Sequence, residues 1–177
     1  VGFVLSGIAL VAGLLMTGLL SSDVADLYPR IPMSLFNSSL LLATCAKTLL
    51  PQQLLQQATI SVHPLVVVGY TGFLINALNM IPFGRLDGGR IVKSIVGRTT
   101  ANTIGGFALL IQGFSSVFGD NNLLLIWGLI AIFLRRESEV PCLDEVTEPN
   151  EVRNAFGFVL LLLMLFTLFP LPTGTGA

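Results

Sequence analysis

Charge is scarce in this chain of 177 residues: only 11% are Asp, Glu, Lys or Arg, against 53% hydrophobic. A soluble domain carries roughly 25% charged residues, so a water-soluble globule of this composition would lack the polar surface to cover itself. The charge that exists nearly cancels, to a formal −1, and no basic stripe with interleaved aromatics is present to follow a phosphate backbone. Nucleic acid is therefore excluded as a partner. Cysteine is equally sparse. Cys45 and Cys142 stand far apart with no CxxC or Cys/His cluster around them, which argues against a disulfide scaffold or a structural zinc site and leaves both as apolar filler or loop residues. There is a single histidine, His63.

What the chain has in quantity is long apolar runs. Val1 to Leu20 has no basic leader and no small-residue cleavage pattern, so it reads as a membrane span rather than a signal peptide, and the chain reads as the rear part of a longer protein. Its Gly2, Gly7, Gly13 and Gly18 suit close helix packing, because membrane interfaces favour residues that let backbones approach. Ser21 to Pro32 is a polar turn region. Met33 to Leu50 is apolar but broken by Asn37, Ser38, Ser39, Thr44 and Lys47; a short span, a re-entrant piece and an interfacial helix all remain open for it. After the glutamine-rich link Pro51 to Gln57, Val62 to Ile81 is the next span, opened by His63-Pro64, with proline where a first helical turn tolerates a missing amide.

Arg85 to Thr100 carries Arg85, Arg90, Lys93 and Arg98. Ala101 to Phe118 and Leu123 to Leu134 then flank the turn signal Gly119-Asp120-Asn121-Asn122 and predict a helical hairpin. Arg135 and Arg136 end it, an acidic loop runs from Glu137 to Arg153, Ala155 to Leu171 is the last span, and 173–177 is a frayed tail. The hairpin returns the chain to the side it left, so Arg85, Arg90, Lys93 and Arg98 share a face with Arg135, Arg136 and Arg153. By the positive-inside tendency that face is cytoplasmic, or stromal in a plastid. The fold class expected is all-α, a polytopic membrane bundle with about five or six apolar segments of the kind that cross ~30 Å of hydrocarbon.

The chemistry concentrates in Asn79 to Arg90, NMIPFGRLDGGR. Asp87 is a lone carboxylate at the edge of an apolar stretch, which makes it a functional candidate by default. Its simplest structural role is a helix N-cap after the Pro-Phe-Gly turn. His63 reads as an interfacial residue at a helix start, Asn76 as a hydrogen bond between helices, and the arginines from Arg85 to Arg98 as topology and headgroup anchors.

Asn79, Pro82, Leu86, Asp87 and Gly88 fit the pattern NxxPxxxLDG, which resembles the second signature of the site-2 protease family of intramembrane zinc metalloproteases. The run from Ile60 to Arg98, the Trp127 hairpin, the Pro141-Cys142 loop and the final apolar helix resemble, in order, the chloroplast and cyanobacterial branch of that family. The resemblance implies a single membrane-embedded peptidase domain over 1–177, of which this is the C-terminal part, and cleavage of transmembrane protein substrates within membrane lipid. It implies that Asp87 is a zinc ligand, that Asn79 and Pro82 contact substrate, and that Gly88 and Gly89 turn the backbone close to the metal. It also implies that two histidine ligands and a glutamate base come from an HExxH signature. No HExxH occurs here, so no catalytic base is expected in this chain, and Zn²⁺ would need ligands from an upstream segment. A non-catalytic protease-like module that binds transmembrane clients is the alternative. The branch points to a thylakoid membrane, or to a cyanobacterial one.

Overall fold

The computed structural model describes residues 1–20, 27–118, 126, 128–130, 132–133 and 150–169, with side chains in the second stretch as far as residue 114. The hairpin turn at 119–122, most of the acidic loop, Cys142, Trp127 and the tail at 173–177 lie outside the described residues. Two compact units divide the chain, Val1–Ala77 with Leu163–Ala177, and Leu78–Leu162.

The first unit contains α1 (Gly2–Gly18), β1 (Arg30–Pro32), α2 (Met33–Asn37), α3 (Leu40–Leu49), α4 (Gln52–Leu55), β2 (Thr59–Ser61) and most of α5 (Pro64–Asn79). Apart from β1 and β2 it is helical, as expected. Those two strands pair antiparallel with Ile31 opposite Ile60, and at three residues each they are too short for any alternation to show in the sequence. The segment Met33 to Leu50 forms two helices, because Ser39 is extended and its hydroxyl accepts from the Leu42 amide to start α3 afresh. The Leu40 amide is satisfied by the carbonyl of Phe169.

Helices α1 and α5 pack antiparallel through a seam of small residues. Gly2 faces Asn76, Ser6 faces Gly72, Gly69 abuts the Leu10 backbone and Gly13 abuts that of Val66. Phe3 meets Phe73 edge-on with ring centroids 5.5 Å apart. At the far end the buried Thr17 hydroxyl donates to the Gly13 carbonyl at 2.7 Å and accepts from the His63 amide at 3.0 Å. Of the four glycines singled out in α1, Gly2 and Gly13 make the close approach; Gly7 and Gly18 have ordinary contacts with Phe73 and Pro51. Thr17→Val keeps the shape but strands the His63 amide. It is expected to destabilise the protein by about 1–3 kcal/mol, the penalty of an unpaired polar group, measured as a lower thermal midpoint in detergent.

The second unit contains the end of α5, α6 (Asp87–Val96), α7 (Arg98–Phe118) and the front of α8 (Glu151–Leu168). Gly97, at φ +79°, separates α6 from α7, and Gly157 of α8 packs on Ile91 and Ile95 of α6. Phe107, Leu110, Ile111 and Phe114, at helical spacing on α7, are each more than 60% exposed; so are Val152, Phe156 and Phe158 on α8. Among the described residues α8 is the helix both long and apolar enough to cross a membrane, while α1, α3 and α5 are apolar but shorter, at 17, 10 and 16 residues.

A candidate metal-binding turn

Helix α5 ends at Asn79 because proline follows three residues later, and the position before a proline is pushed out of helical geometry. The link Met80 to Leu86 then folds back on itself. The Phe83 amide donates to the Ile81 carbonyl at 2.7 Å, the Leu86 amide to Phe83 at 3.1 Å, and the Arg90 amide to Leu86 at 3.1 Å. Gly84 sits at φ +53°, a backbone state that costs glycine nothing and other residues 1–2 kcal/mol or so.

Three glycines seat this link. A Cβ on Gly88 would run into the carbonyls of Met80 and Ile81, and one on Gly89 would stand 2.7 Å from the Gly84 oxygen and 2.9 Å from that of Phe83. From the other side, a Cβ on Gly105 of α7 would lie 2.8 Å from the Pro82 oxygen. The glycine pair therefore lets α6 begin directly against the turn backbone. Sequence reading named Gly84 only as the end of the Pro-Phe-Gly turn and missed Gly105, whose partner is set by tertiary packing. It also missed the contact of Lys93, whose ammonium donates to the Gly84 carbonyl at 3.0 Å and so braces the turn as well as carrying surface charge.

Asp87 departs from one expectation. The cap position belongs to Leu86, buried and extended at φ −67°, ψ 158°, and no side chain caps the helix. Asp87 is the first helical residue, one step further round, so its carboxylate is not turned back onto the free amides. It is exposed, and among the described residues it takes no hydrogen bond or ion pair. An acidic group in a first turn is still favoured by the helix dipole. Asn79 and Pro82 are half-buried in the same turn, so Asn79, Pro82, Asp87, Gly88 and Gly89 belong to one continuous feature of the second unit.

His63 belongs to the first unit and is occupied structurally. Its Nδ1 accepts from the Leu65 amide at 3.2 Å, which caps α5, and its ring lies 5.7 Å from that of Tyr28. Asn76 donates to the Gly72 carbonyl of its own helix at 2.7 Å while packing against Gly2, so its bond is within a helix rather than between two. Among the described residues no three His, Cys, Asp or Glu side chains converge to hold a metal ion. One hard oxygen donor with spare lone pairs is what the turn offers. That fits a single position in a catalytic zinc site, which takes three protein ligands.

The chain resembles known proteins along most of its length. The chain is 37% identical over 168 residues to "Probable zinc metalloprotease EGY1, chloroplastic" of Arabidopsis thaliana, covering 93% of this chain and 30% of that protein. It is 34% identical over 168 residues to "Probable zinc metalloprotease EGY2, chloroplastic" of the same plant, covering 95% and 30%. A shorter match, 39% over 116 residues, covers 66% of this chain and 20% of "Probable zinc metalloprotease EGY3, chloroplastic" of Oryza sativa subsp. japonica. The chain thus spans about a third or less of the length of these relatives. No solved structure matches it. Residues 2–118 match the profile of Peptidase family M50, a stretch that contains the whole Asn79 to Gly89 turn, and the chain belongs to that family, the site-2 proteases.

Proposed function

We propose that this chain is part of an intramembrane zinc metalloendopeptidase that cleaves transmembrane protein substrates, and that it contributes the aspartate ligand, Asp87. The observation that carries this reading is the state of that carboxylate: held at the start of α6 by a glycine-seated turn, exposed, and taken by no other described side chain. When bound, zinc supplies Lewis acidity and a water whose pKa is lowered to about 7. The chain's own residues orient the donor. Asn79 and Pro82 stand where the helix gives way to irregular backbone, and an unwound substrate strand would find the Asn79 side-chain amide and the Pro82 ring beside it. Such non-helical backbone at membrane depth is tolerated where it lines a protein cavity.

The exposed apolar faces of α1, α7 and α8 support an integral membrane location in a polytopic helical bundle of the site-2 protease type. The chloroplastic relatives support a plastid membrane, with the thylakoid as the natural site. The test is metal analysis and substrate cleavage in the full-length protein with and without Asp87→Ala. Zinc bound at one site and lost with cleavage supports the reading. A full-length protein that binds no zinc and cleaves nothing selects the non-catalytic client-binding module.

A further inference from the structure

We infer that Lys93 is a positioning residue for the turn that presents Asp87, acting through the carbonyl of Gly84. Three features converge on that one oxygen. Gly84, at φ +53°, directs its carbonyl toward α6. Gly89 leaves room for it, since a Cβ there would stand only 2.7 Å away. Lys93 lies one helical turn beyond Gly89, on the same face of α6, and its ammonium donates to the same oxygen at 3.0 Å. The carbonyl is thus seated on α6 by a missing side chain and tied down by a present one.

The tie crosses the turn that matters. Gly84 precedes Asp87 by three residues and Lys93 follows it by six, so the bond closes a small ring of chain around the carboxylate-bearing position. The bond engages the ammonium without engaging the Asp87 carboxylate, which takes no hydrogen bond or ion pair among the described residues. A headgroup anchor would need neither Gly89 nor the Gly84 carbonyl. A brace needs both.

This role rests on Asp87 being a metal ligand, and the experiment separates the two claims. In the full-length protein in lipid nanodiscs, amide hydrogen exchange is followed at Phe83 and Leu86, whose amides close the turn, with Val66 and Ala43 as references in the other unit. Lys93→Met is expected to speed exchange at Phe83 and Leu86 by about tenfold or more, as befits a lost charge-assisted hydrogen bond, and to leave the references unchanged. Lys93→Arg, which keeps a cationic donor, is expected to restore protection. Gly89→Ala, which displaces the same carbonyl while retaining the ammonium, is expected to speed the same two amides, and it tests the seat even where Lys93→Met does not fold. Unchanged exchange at Phe83 and Leu86 in the folded variants overturns the inference. Zinc release to a chelator is the second readout, expected to be faster in Lys93→Met and normal in Lys93→Arg. If Asp87→Ala keeps its zinc while Lys93→Met still loosens the turn, the metal reading fails and the brace stands.

Discussion

Full-length protein carrying Asp87→Ala is expected to lose zinc and cleavage together, while His63→Ala keeps both. The contrast follows from what each side chain already does. Asp87 is engaged by no other described group, so its removal costs the fold little and the metal a great deal: cleavage should fall by more than the roughly 10–100-fold that changes outside the ligand set produce. His63 spends its Nδ1 on the Leu65 amide and its ring on Tyr28, so its replacement should remove a helix cap, about 1 kcal/mol, and leave bound zinc unchanged. Zinc per protein by atomic emission and turnover of a reconstituted transmembrane substrate decide the matter. Equal loss from both changes would show that the ligand has been misassigned. Asp87→Asn sharpens the result, because it keeps size and helix position but is a poorer zinc donor, and it should resemble Asp87→Ala in metal content and the native protein in stability.

How much of this was legible beforehand depended on the range of the interaction. The turn was legible, because proline at 82 and glycine at 88 and 89 punctuate the backbone locally whatever surrounds them. The cap was misread by one residue. Leu86 and Asp87 are both compatible with a helix start, and the burial of Leu86 that decides between them is a tertiary fact. The strands β1 and β2 were not foreseen because three residues hold too little pattern. Lys93 looked like one cation among four; what sets it apart is a backbone carbonyl nine residues earlier, which side-chain composition does not encode. The seam between α1 and α5 was half visible. Gly2 and Gly13 were noticed in α1, yet Gly69 and Gly72 passed unremarked in α5, since the register of two uniformly apolar helices is fixed by their mutual fit and by no periodicity within either.

That seam sets the second large effect, on stability rather than chemistry. Gly69→Ala is expected to destabilise the protein beyond the roughly 1–3 kcal/mol usual for overpacking. A Cβ at Gly69 would press on the backbone nitrogen of Leu10 and on its Cα at 2.6 Å, and would stand 2.8 Å from its Cβ. Backbone within a helix has no rotamer into which to retreat, so α1 as a whole must move off α5. Moving it loosens every contact along the seam, including Phe3 on Phe73 and the Thr17 bond to the His63 amide, and those losses add to the local clash. Gly106→Ala, also within a helix, is the control: nothing lies within 4 Å of the added carbon, and alanine's better helix propensity, worth up to about 1 kcal/mol, should make that change neutral or slightly stabilising. Thermal unfolding of the two variants in the same detergent measures the difference. If Gly69→Ala unfolds no earlier than Gly106→Ala, the α1 and α5 backbones are not in close contact at this position, and the small-residue seam cannot be what joins them.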